Sequence, residues 1–243
     1  MVTQRNGNGA INGHGSLRIV SKGACFAKPQ AAGTVSHDVI ATIIQLITGA
    51  QARWVGIDPS DEHGVAPQRI YFANHGSNLD APVIWASLPA PLRRKARPVA
   101  ARDYWQRGPI RRYLAEKVFR CLLIERRKVT ASSNPLTAME AALKAGDSLI
   151  LFPEGTRTID DEGEMNDFKP GLWHLARKHP HVQLVPVHLE NLNRILPKGE
   201  VLLIPVLAAV TFGAPIQPQP DEDKLNFLHR AKQAVQELGG GGA

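Results

Sequence analysis

Two short polar segments carry residue types that suit acid–base chemistry and anion binding. The first contains His75 and Asp80, with Gly76, Ser77 and Asn78 between them. Residues five apart in a helix point about 140° away from each other, so the pair can meet only if His75 lies in a turn and Asp80 begins a helix. A carboxylate that holds an imidazole fixes its tautomer and stabilises the imidazolium, as a general base requires. The structural alternative is a turn histidine beside an aspartate that caps a helix.

The second segment spans residues 153–157 and follows an apolar run. Arg157 offers a bidentate fork for a phosphate, and Gly155 and Thr156 add main-chain and hydroxyl donors. Glu154 is placed to orient the arginine or a substrate hydroxyl. The segment lacks the Gly-Lys-Ser/Thr ending of a P-loop. It therefore predicts an anion-binding loop of another kind, and a surface ion pair in an ordinary turn is the alternative.

Both segments follow β-rich runs in a chain where strand and helix patterns alternate. The predicted strands are residues 53–57, 69–73, 97–101, 121–124, 148–152, 183–189 and 208–212. The predicted helices between and after them are residues 80–87, 110–118, 135–145, 171–179 and 221–238. This alternation predicts an α/β fold with a mixed, largely parallel sheet flanked by helices. Sites in such sheets form beyond the carboxyl ends of strands, where both segments lie.

Composition divides the chain into four parts. Residues 1–35 are rich in Gly, Asn, Ser and Ala and predict a disordered tail. Residues 36–52 predict an amphipathic helix, which either faces the core or lies in a membrane interface. Residues 53–238 form the predicted main domain, and residues 239–243 a flexible end. No run of about 18 apolar residues or secretory signal occurs, so neither a spanning helix nor export is predicted.

Charge is concentrated in one stretch, which we call the basic band. The chain has a net charge of +7, whereas residues 93–128 hold thirteen cations and three anions, a net of +10. The band predicts contact with nucleic acid, a phosphorylated substrate or an anionic lipid surface, or else a solvated helix face. No nucleic-acid-binding motif accompanies it, so nucleic acid is not an expected partner. Cys25 and Cys121 have neither disulfide-framework nor metal-ligand spacing, which indicates a reducing compartment.

The motifs, taken together, resemble those of the glycerolipid acyltransferase family. The family's Asn-His-x-Ser-x-x-Asp motif is matched by Asn74, His75, Ser77 and Asp80, and its Phe-Pro-Glu-Gly-Thr-Arg motif by Phe152–Arg157. Its Gly-x-x-Phe-Ile-x-Arg segment is met in part by residues 120–126, with Arg120 replacing the Gly and Leu123 the Phe. Lys-x-Gly occurs at residues 169–171 and Val-Pro-Val at 185–187. The order and spacing agree from about residue 68 to 215.

The resemblance implies that His75 is the catalytic base and Asp80 its partner. It implies that the glycerol phosphate of the acceptor is bound by Arg126, Glu154, Gly155, Thr156 and Arg157. Asn74 and Ser77 are further candidate substrate-binding residues. The implied reaction moves a fatty acyl group from acyl-CoA or acyl carrier protein to the free hydroxyl of a lysophospholipid. The expected acceptor is 1-acylglycerol-3-phosphate, which gives phosphatidic acid in phospholipid biosynthesis, with no metal and no bound cofactor. Another lysolipid or glycerol 3-phosphate are alternative acceptors.

Other classes of protein remain as alternatives. A serine hydrolase is disfavoured because Ser77 lies in no Gly-x-Ser-x-Gly elbow. A metal hydrolase would use His75, Asp80 and Glu154 as ligands. A non-enzymatic basic protein would bind a membrane or nucleic acid. Because the expected acceptor is a lipid and no spanning helix is predicted, we expect a peripheral protein on the cytoplasmic face of an anionic membrane.

Overall fold

One mixed sheet forms the centre of the protein. The computed structural model describes residues 34–59, 67–125, 134–157, 165–192 and 207–240. The strands in these residues are β1 Gln51–Trp54, β2 Arg69–Ala73, β3 Ala96–Ala101, β4 Leu122–Ile124, β5 Ser148–Leu151, β6 Gln183–Glu190 and β7 Ala209–Phe212. They form a sheet with the order β1-β7-β6-β2-β5-β3-β4. Neighbouring strands run parallel except β6 and β7, which confirms the mixed, largely parallel sheet.

Strand β2 lies between β5 and β6, where Tyr71 is paired with Ile150 on one side and Val185 on the other. All five of its residues are buried, as expected for a strand covered on both faces. Because β2, β5 and β3 are adjacent and parallel, the loops that follow them leave the same edge of the sheet. The two polar segments are therefore brought together at that edge.

Helices cover both faces of the sheet. They are α1 Thr34–Thr48, α2 Asp80–Ser87, α3 Ala90–Lys95, α4 Arg102–Trp105, α5 Pro109–Tyr113, α6 Pro135–Lys144, α7 Gly171–Lys178 and α8 Lys224–Gly240. A π-helical turn, Leu114–Val118, continues directly from α5. Along β2, Tyr71 joins an apolar cluster with α1 and α2, whereas Ile70 and Phe72 join one with α6, α7 and α8. This alternation places a helical layer on each side of the strands.

Helix α1 has two apolar faces with different surroundings. Ile40 and Ile44 pack against the core cluster that contains α2, and Gln45 Nε2 donates to the Ala86 carbonyl at 2.9 Å. The adjoining side of the helix exposes a second apolar set, which we call the α1 stripe: Val39, Ile43, Leu46 and Ile47, each 47–78% exposed. The core-facing interpretation is therefore confirmed for one face, and the other face remains accessible for a surface contact.

Several element boundaries differ from the sequence-based predictions. Helix α1 ends at Thr48 because Gly49 adopts φ 57°, the left-handed conformation that terminates helices, so β1 begins at Gln51. Helix α8 continues to Gly240, two residues into the predicted flexible end. Gly239 packs against the imidazole of His188 where a Cβ would lie 2.5 Å from Nε2.

Two short helices, α3 and α4, were not predicted because six- and four-residue helices carry almost no periodicity. The predicted tail, residues 1–33 in particular, lies outside the described residues. None of the described helices is long and apolar enough to cross a membrane.

Candidate active site

His75 and Asp80 form the hydrogen-bonded pair that their spacing predicts. Strand β2 ends at Ala73, helix α2 begins at Asp80, and the turn between them brings His75 Nδ1 to 2.8 Å from Asp80 Oδ2. The carboxylate is 1% exposed, and the same oxygen accepts the main-chain N–H groups of Gly76 at 2.8 Å and Ser77 at 2.9 Å. An ionised carboxylate only accepts, so Nδ1 carries the proton and Nε2 carries the lone pair. The imidazole is thus fixed in the tautomer that a general base needs.

The imidazole of His75 packs against Phe152, the residue that directly follows β5. The two rings are stacked, with centroids 4.3 Å apart and planes 20° from parallel. The contact follows from the pairing of β2 with β5, because each residue lies just beyond the carboxyl end of its strand. Asp80 at Nδ1 and Phe152 at the ring face together restrict the orientation of His75.

The loop after Phe152 turns sharply at Gly155, which has φ 73°. The Gly155 N–H donates to the Phe152 carbonyl at 3.0 Å, closing the turn. A Cβ at Gly155 would lie 2.3 Å from Nζ of Lys169, so the lysine side chain crosses the loop where glycine leaves room for it. Both the backbone conformation and the close approach therefore require glycine at this position.

Two cavities meet at His75. One, which we call the arginine cavity, has a volume of about 210 Å³ and includes Ser77, Asn78, Asp103, Arg107 and Arg157 in its lining. The other, which we call the apolar cavity, has a volume of about 600 Å³ and includes Ile124, Leu136, Met139, Leu151, Leu172 and Leu175. His75, Val99 and Phe152 line both. A reactant in either cavity therefore reaches the same imidazole.

The structure distributes the predicted binding residues among different surroundings. Gly155 and Thr156 line the apolar cavity, and Arg157 lines the arginine cavity. Glu154 is 2% exposed, and its Oε1 accepts the His75 main-chain N–H at 2.9 Å. Arg126 lies outside the described residues.

Asn74 and Ser77 make contacts that hold the turn itself. Asn74 exchanges two hydrogen bonds with the main chain of Leu189 on β6, at 3.0 Å and 2.8 Å. The Ser77 hydroxyl accepts the Leu79 N–H at 3.2 Å, although Ser77 also lines the arginine cavity. The observed contacts of both side chains fix the backbone around His75, and their role in substrate binding stays a prediction.

Sequence patterns did not identify Phe152, Arg107, Asn166 or Lys169 as individual site residues. Phe152 and Lys169 stood inside recognised motifs, but no spacing indicated that they would contact the imidazole or Gly155. Arg107 was one of thirteen cations of the basic band, without a signal to distinguish it from the others. Asn166 contacts Glu154 from twelve residues away, and no motif points to it.

Most of the described cations in the basic band have partners within the protein. Arg93 is 9% exposed and pairs with Asp38 of α1, and its Nη1 donates to two carbonyls near the end of α2. Arg97 and Arg120 share Asp147, at 3.1 Å and 3.3 Å. Part of the band is therefore engaged in contacts within the protein, and its exposed cations, including the ion-paired Arg112, can meet an anionic surface.

Cysteine chemistry and metal coordination can both be examined in the described residues. Burial raises the pKa of the Cys121 thiol to about 12, so this cysteine stays protonated at neutral pH. Within the described ranges, no group of three or more His, Cys, Asp or Glu side chains is arranged to hold a metal ion.

The same fold occurs in a solved acyltransferase. The 1-acyl-sn-glycerophosphate acyltransferase PlsC of Thermotoga maritima aligns with a TM-score of 0.64 and 18% sequence identity. The alignment covers 85% of this chain and 78% of that chain. At this identity the likeness establishes a shared α/β fold.

Parts of the sequence also match plant enzymes. A stretch of 91 residues is 36% identical to the 1-acyl-sn-glycerol-3-phosphate acyltransferase of Limnanthes douglasii, covering 35% of this chain and 31% of that protein. A stretch of 102 residues is 32% identical to the enzyme of the same name from Cocos nucifera, covering 39% of this chain and 32% of that protein. The matched region spans about a third of the length of these relatives.

The family model described as Acyltransferase matches residues 59–190, more than half of the chain. This region contains the turn of His75 and Asp80, both cavities and the loop of Glu154. The protein therefore belongs to the acyltransferase family, as the motifs predicted.

Proposed function

We propose that this protein is a 1-acylglycerol-3-phosphate acyltransferase that makes phosphatidic acid for phospholipid biosynthesis. The observation that carries the proposal is the meeting, at one imidazole, of a cavity with two arginines and a larger apolar cavity. Transfer of a fatty acyl group to a phosphorylated alcohol requires a polar compartment, a hydrocarbon compartment and a base between them. The names of the relatives in Limnanthes douglasii and Cocos nucifera support the same acceptor.

The proposed reaction uses His75 as base and then as acid. Nε2 removes the proton of the acceptor hydroxyl as its oxygen attacks the thioester carbonyl, forming the new C–O bond. Asp80 stabilises the imidazolium that results. When the tetrahedral intermediate collapses, the C–S bond breaks and the imidazolium returns the proton to the leaving thiolate. The products are an ester and a free thiol, and His75 ends in its starting state.

The arginine cavity suits the acceptor phosphate. Arg107 lies beyond β3 and Arg157 beyond β5, and among the described residues neither guanidinium forms an ion pair. Two forked guanidiniums provide the planar donors that a phosphate monoester accepts. Asp103 lines the same cavity and is placed to accept a hydrogen bond from a hydroxyl of the glycerol.

The apolar cavity suits the fatty acyl chain of the thioester. Leu136 and Met139 from α6, with Leu172 and Leu175 from α7, provide a hydrocarbon lining that continues to His75. Burial of each methylene of a chain in such a lining contributes about 0.8 kcal/mol. Either acyl-CoA or acyl carrier protein can present the chain, and both carriers are anionic.

Purified protein, a panel of acceptors and both thioester donors provide the test. The acceptors are 1-acylglycerol-3-phosphate, glycerol 3-phosphate and a lysophosphatidylcholine, and the products are identified by mass spectrometry. We expect phosphatidic acid to be the main product. If glycerol 3-phosphate were the only compound acylated, it would replace 1-acylglycerol-3-phosphate as the proposed acceptor. Hydrolysis of the thioester without transfer to any acceptor would contradict the proposal.

Arg157→Lys is expected to raise the KM for the phosphorylated acceptor about tenfold, because lysine keeps the charge but loses the bidentate fork. The KM for the thioester is expected to change little. Arg107→Lys is expected to act in the same direction, and Arg94→Lys, an exposed arginine outside both cavities, provides the matched control. Steady-state kinetics with each substrate varied in turn measures the effect. A selective rise in the thioester KM would assign the loop to the donor.

We further propose that the protein docks on the cytoplasmic face of an anionic membrane, where the acceptor resides. The α1 stripe supplies exposed apolar side chains, and α5 adds Ile110, 75% exposed, and Tyr113, 60% exposed. His37 at the start of α1 contacts the Lys117 carbonyl at 3.4 Å, so α1 and the α5 region are neighbours. Exposed cations beside these apolar residues include Arg111 and Arg112. Apolar side chains flanked by cations are typical of interfacial binding.

The double variant Leu46→Ser/Ile47→Ser is expected to weaken binding to anionic vesicles by at least about tenfold, because each apolar side chain contributes about 1.5–3 kcal/mol when buried. Sedimentation with vesicles of phosphatidylcholine, with and without phosphatidylglycerol, measures the binding. High salt is expected to reverse part of the wild-type binding, since screening acts on the cations alone.

Leu225→Ser provides the matched control for vesicle binding. Leu225 is 74% exposed, but it belongs to α8, whose buried residues join the cluster on the other face of the sheet. Equal loss of binding in the control and the α1 double variant would show that the α1 stripe has no specific role. Equal binding to neutral and anionic vesicles would eliminate the electrostatic contribution.

A further inference from the structure

Glu154 differs from its neighbours in the loop after β5 because it faces the protein interior. Thr156 and Arg157 line the cavities at His75, whereas Glu154 is 2% exposed and lines neither. Its Oε1 accepts the main-chain N–H of His75 at 2.9 Å. Its Oε2 accepts two donors of Asn166, the main-chain N–H at 2.9 Å and Nδ2 at 3.2 Å. One carboxylate therefore connects the catalytic turn to a segment that follows the anion-binding loop.

We propose that Glu154 is a positioning residue for His75, held in place by Asn166, and that it does not bind the acceptor. The proposal rests on the acyltransferase function proposed above. Asp80 fixes the imidazole through Nδ1 and fixes the turn through the N–H groups of Gly76 and Ser77. Glu154 instead accepts the main-chain N–H of His75 and so fixes the backbone of the residue. The residue is thereby held at its side chain and at its backbone by two different carboxylates.

The segment that carries Asn166 is anchored firmly enough to serve this purpose. Met165 is 8% exposed and Phe168 is 7% exposed, and the Phe168 ring makes a T-shaped contact with Phe72 from β2, with centroids 6.2 Å apart. The Lys169 N–H donates to the Pro153 carbonyl at 2.9 Å, next to Glu154. Asn166 therefore occupies a fixed position between anchored neighbours, and its two donors offset the cost of burying the carboxylate.

The variant Glu154→Gln distinguishes positioning from acceptor binding. Glutamine keeps the shape but replaces one carboxylate oxygen with an NH₂ group. Because Asn166 directs two donors at Oε2 and His75 directs one at Oε1, the amide oxygen is expected to face Asn166, and the contact with the His75 N–H is lost. Displacement of a base by about 1 Å costs about 100-fold, so we expect kcat to fall between about 10- and 100-fold. The acceptor KM is expected to stay within about twofold, in contrast to the effect of Arg157→Lys.

Asn166→Ala provides a second variant in case Glu154→Gln fails to fold. Asn166 is exposed, and alanine removes the Nδ2 contact while keeping the main-chain N–H. A smaller fall in kcat with an unchanged acceptor KM is expected. Because both variants act through one bridge, the effects of the double variant are expected to be less than additive. Glu140→Gln is the matched control. Glu140 forms an ion pair with Lys178 at 2.6 Å and lines neither cavity.

Hydrogen exchange of the His75 amide gives a readout that does not depend on turnover. Glu154→Gln is expected to accelerate exchange at this amide, while amides in β6 keep wild-type rates. A raised acceptor KM with unchanged kcat would overturn the proposal in favour of acceptor binding. Unchanged kcat together with unchanged exchange would also overturn it. If the wild-type protein transfers no acyl group, the proposed function fails, and the exchange experiment still decides whether Glu154 holds His75.

Discussion

His75→Ala is expected to lower turnover by about 10²–10⁴-fold, the usual cost of losing a general base. Of the three described residues that line both cavities, His75 is the one with a basic side chain, and its Nε2 is the atom that the contact with Asp80 leaves available. Alanine leaves the Gly76 and Ser77 N–H groups bound to Asp80, so the turn keeps two of its three contacts. The variant is therefore expected to fold and to bind acceptor and thioester with nearly unchanged affinity.

The His75→Ala measurement requires kcat at saturating substrates together with a thermal unfolding curve. His229→Ala, an exposed histidine on α8, is the matched control and is expected to behave as wild type. Turnover of His75→Ala near the wild-type rate would disprove the mechanism. A similar loss in both variants would show that the effect is not specific to the site.

Most of the strands and the hydrogen-bonded pair of His75 and Asp80 were predictable because they depend on local sequence, although β1, Gln51–Trp54, overlaps the predicted residues 53–57 by only two residues. Strand β2 occupies the predicted residues 69–73, and α2 begins at Asp80 as the contact with His75 requires. Alternation of apolar residues and turn residues at the strand ends carries this information within a few positions. The placement of two polar loops at one edge then follows from parallel strands.

Contacts between distant segments were not predictable from local patterns. The sequence predicts that Glu154 binds substrate, because it lies close to Thr156 and Arg157 in a polar loop. The structure turns it inward, to His75 at a separation of 79 residues and to Asn166 at a separation of 12. Which side of a turn a carboxylate faces depends on what packs there, and single-sequence periodicity does not contain that information.

The two interpretations of α1 show the same limit of local patterns. Its apolar residues cover more of the helix than one contact needs, and the sequence left a core face and a membrane face as alternatives. Ile40 and Ile44 take the core contact, and Leu46 remains 78% exposed. A pattern of this width predicts how much of a helix is apolar, whereas the neighbouring elements decide which part is covered.

Asp80→Asn is expected to lower turnover by a similar order to His75→Ala, about 10²–10⁴-fold, because the imidazolium loses the charge that stabilises it. The hydrogen bonds of Asp80 make Asp80→Asn a test of the negative charge of this side chain. All three donors reach Oδ2, and Oδ1 is buried with no hydrogen-bond partner among the described residues. An asparagine oxygen at the Oδ2 position therefore keeps every contact, while its NH₂ group takes the position of Oδ1.

Comparison of three variants separates the charge of Asp80 from its hydrogen bonds. Asp80→Ala removes both and is expected to destabilise the turn, which thermal unfolding would detect. Asp80→Asn is expected to keep the unfolding temperature closer to wild type while losing nearly as much kcat. Asp167→Asn, a carboxylate 99% exposed and paired with Lys232, is the control and is expected to leave kcat unchanged. Wild-type turnover in Asp80→Asn would mean that Asp80 acts only by holding the backbone of the turn, and the base would then need no carboxylate charge.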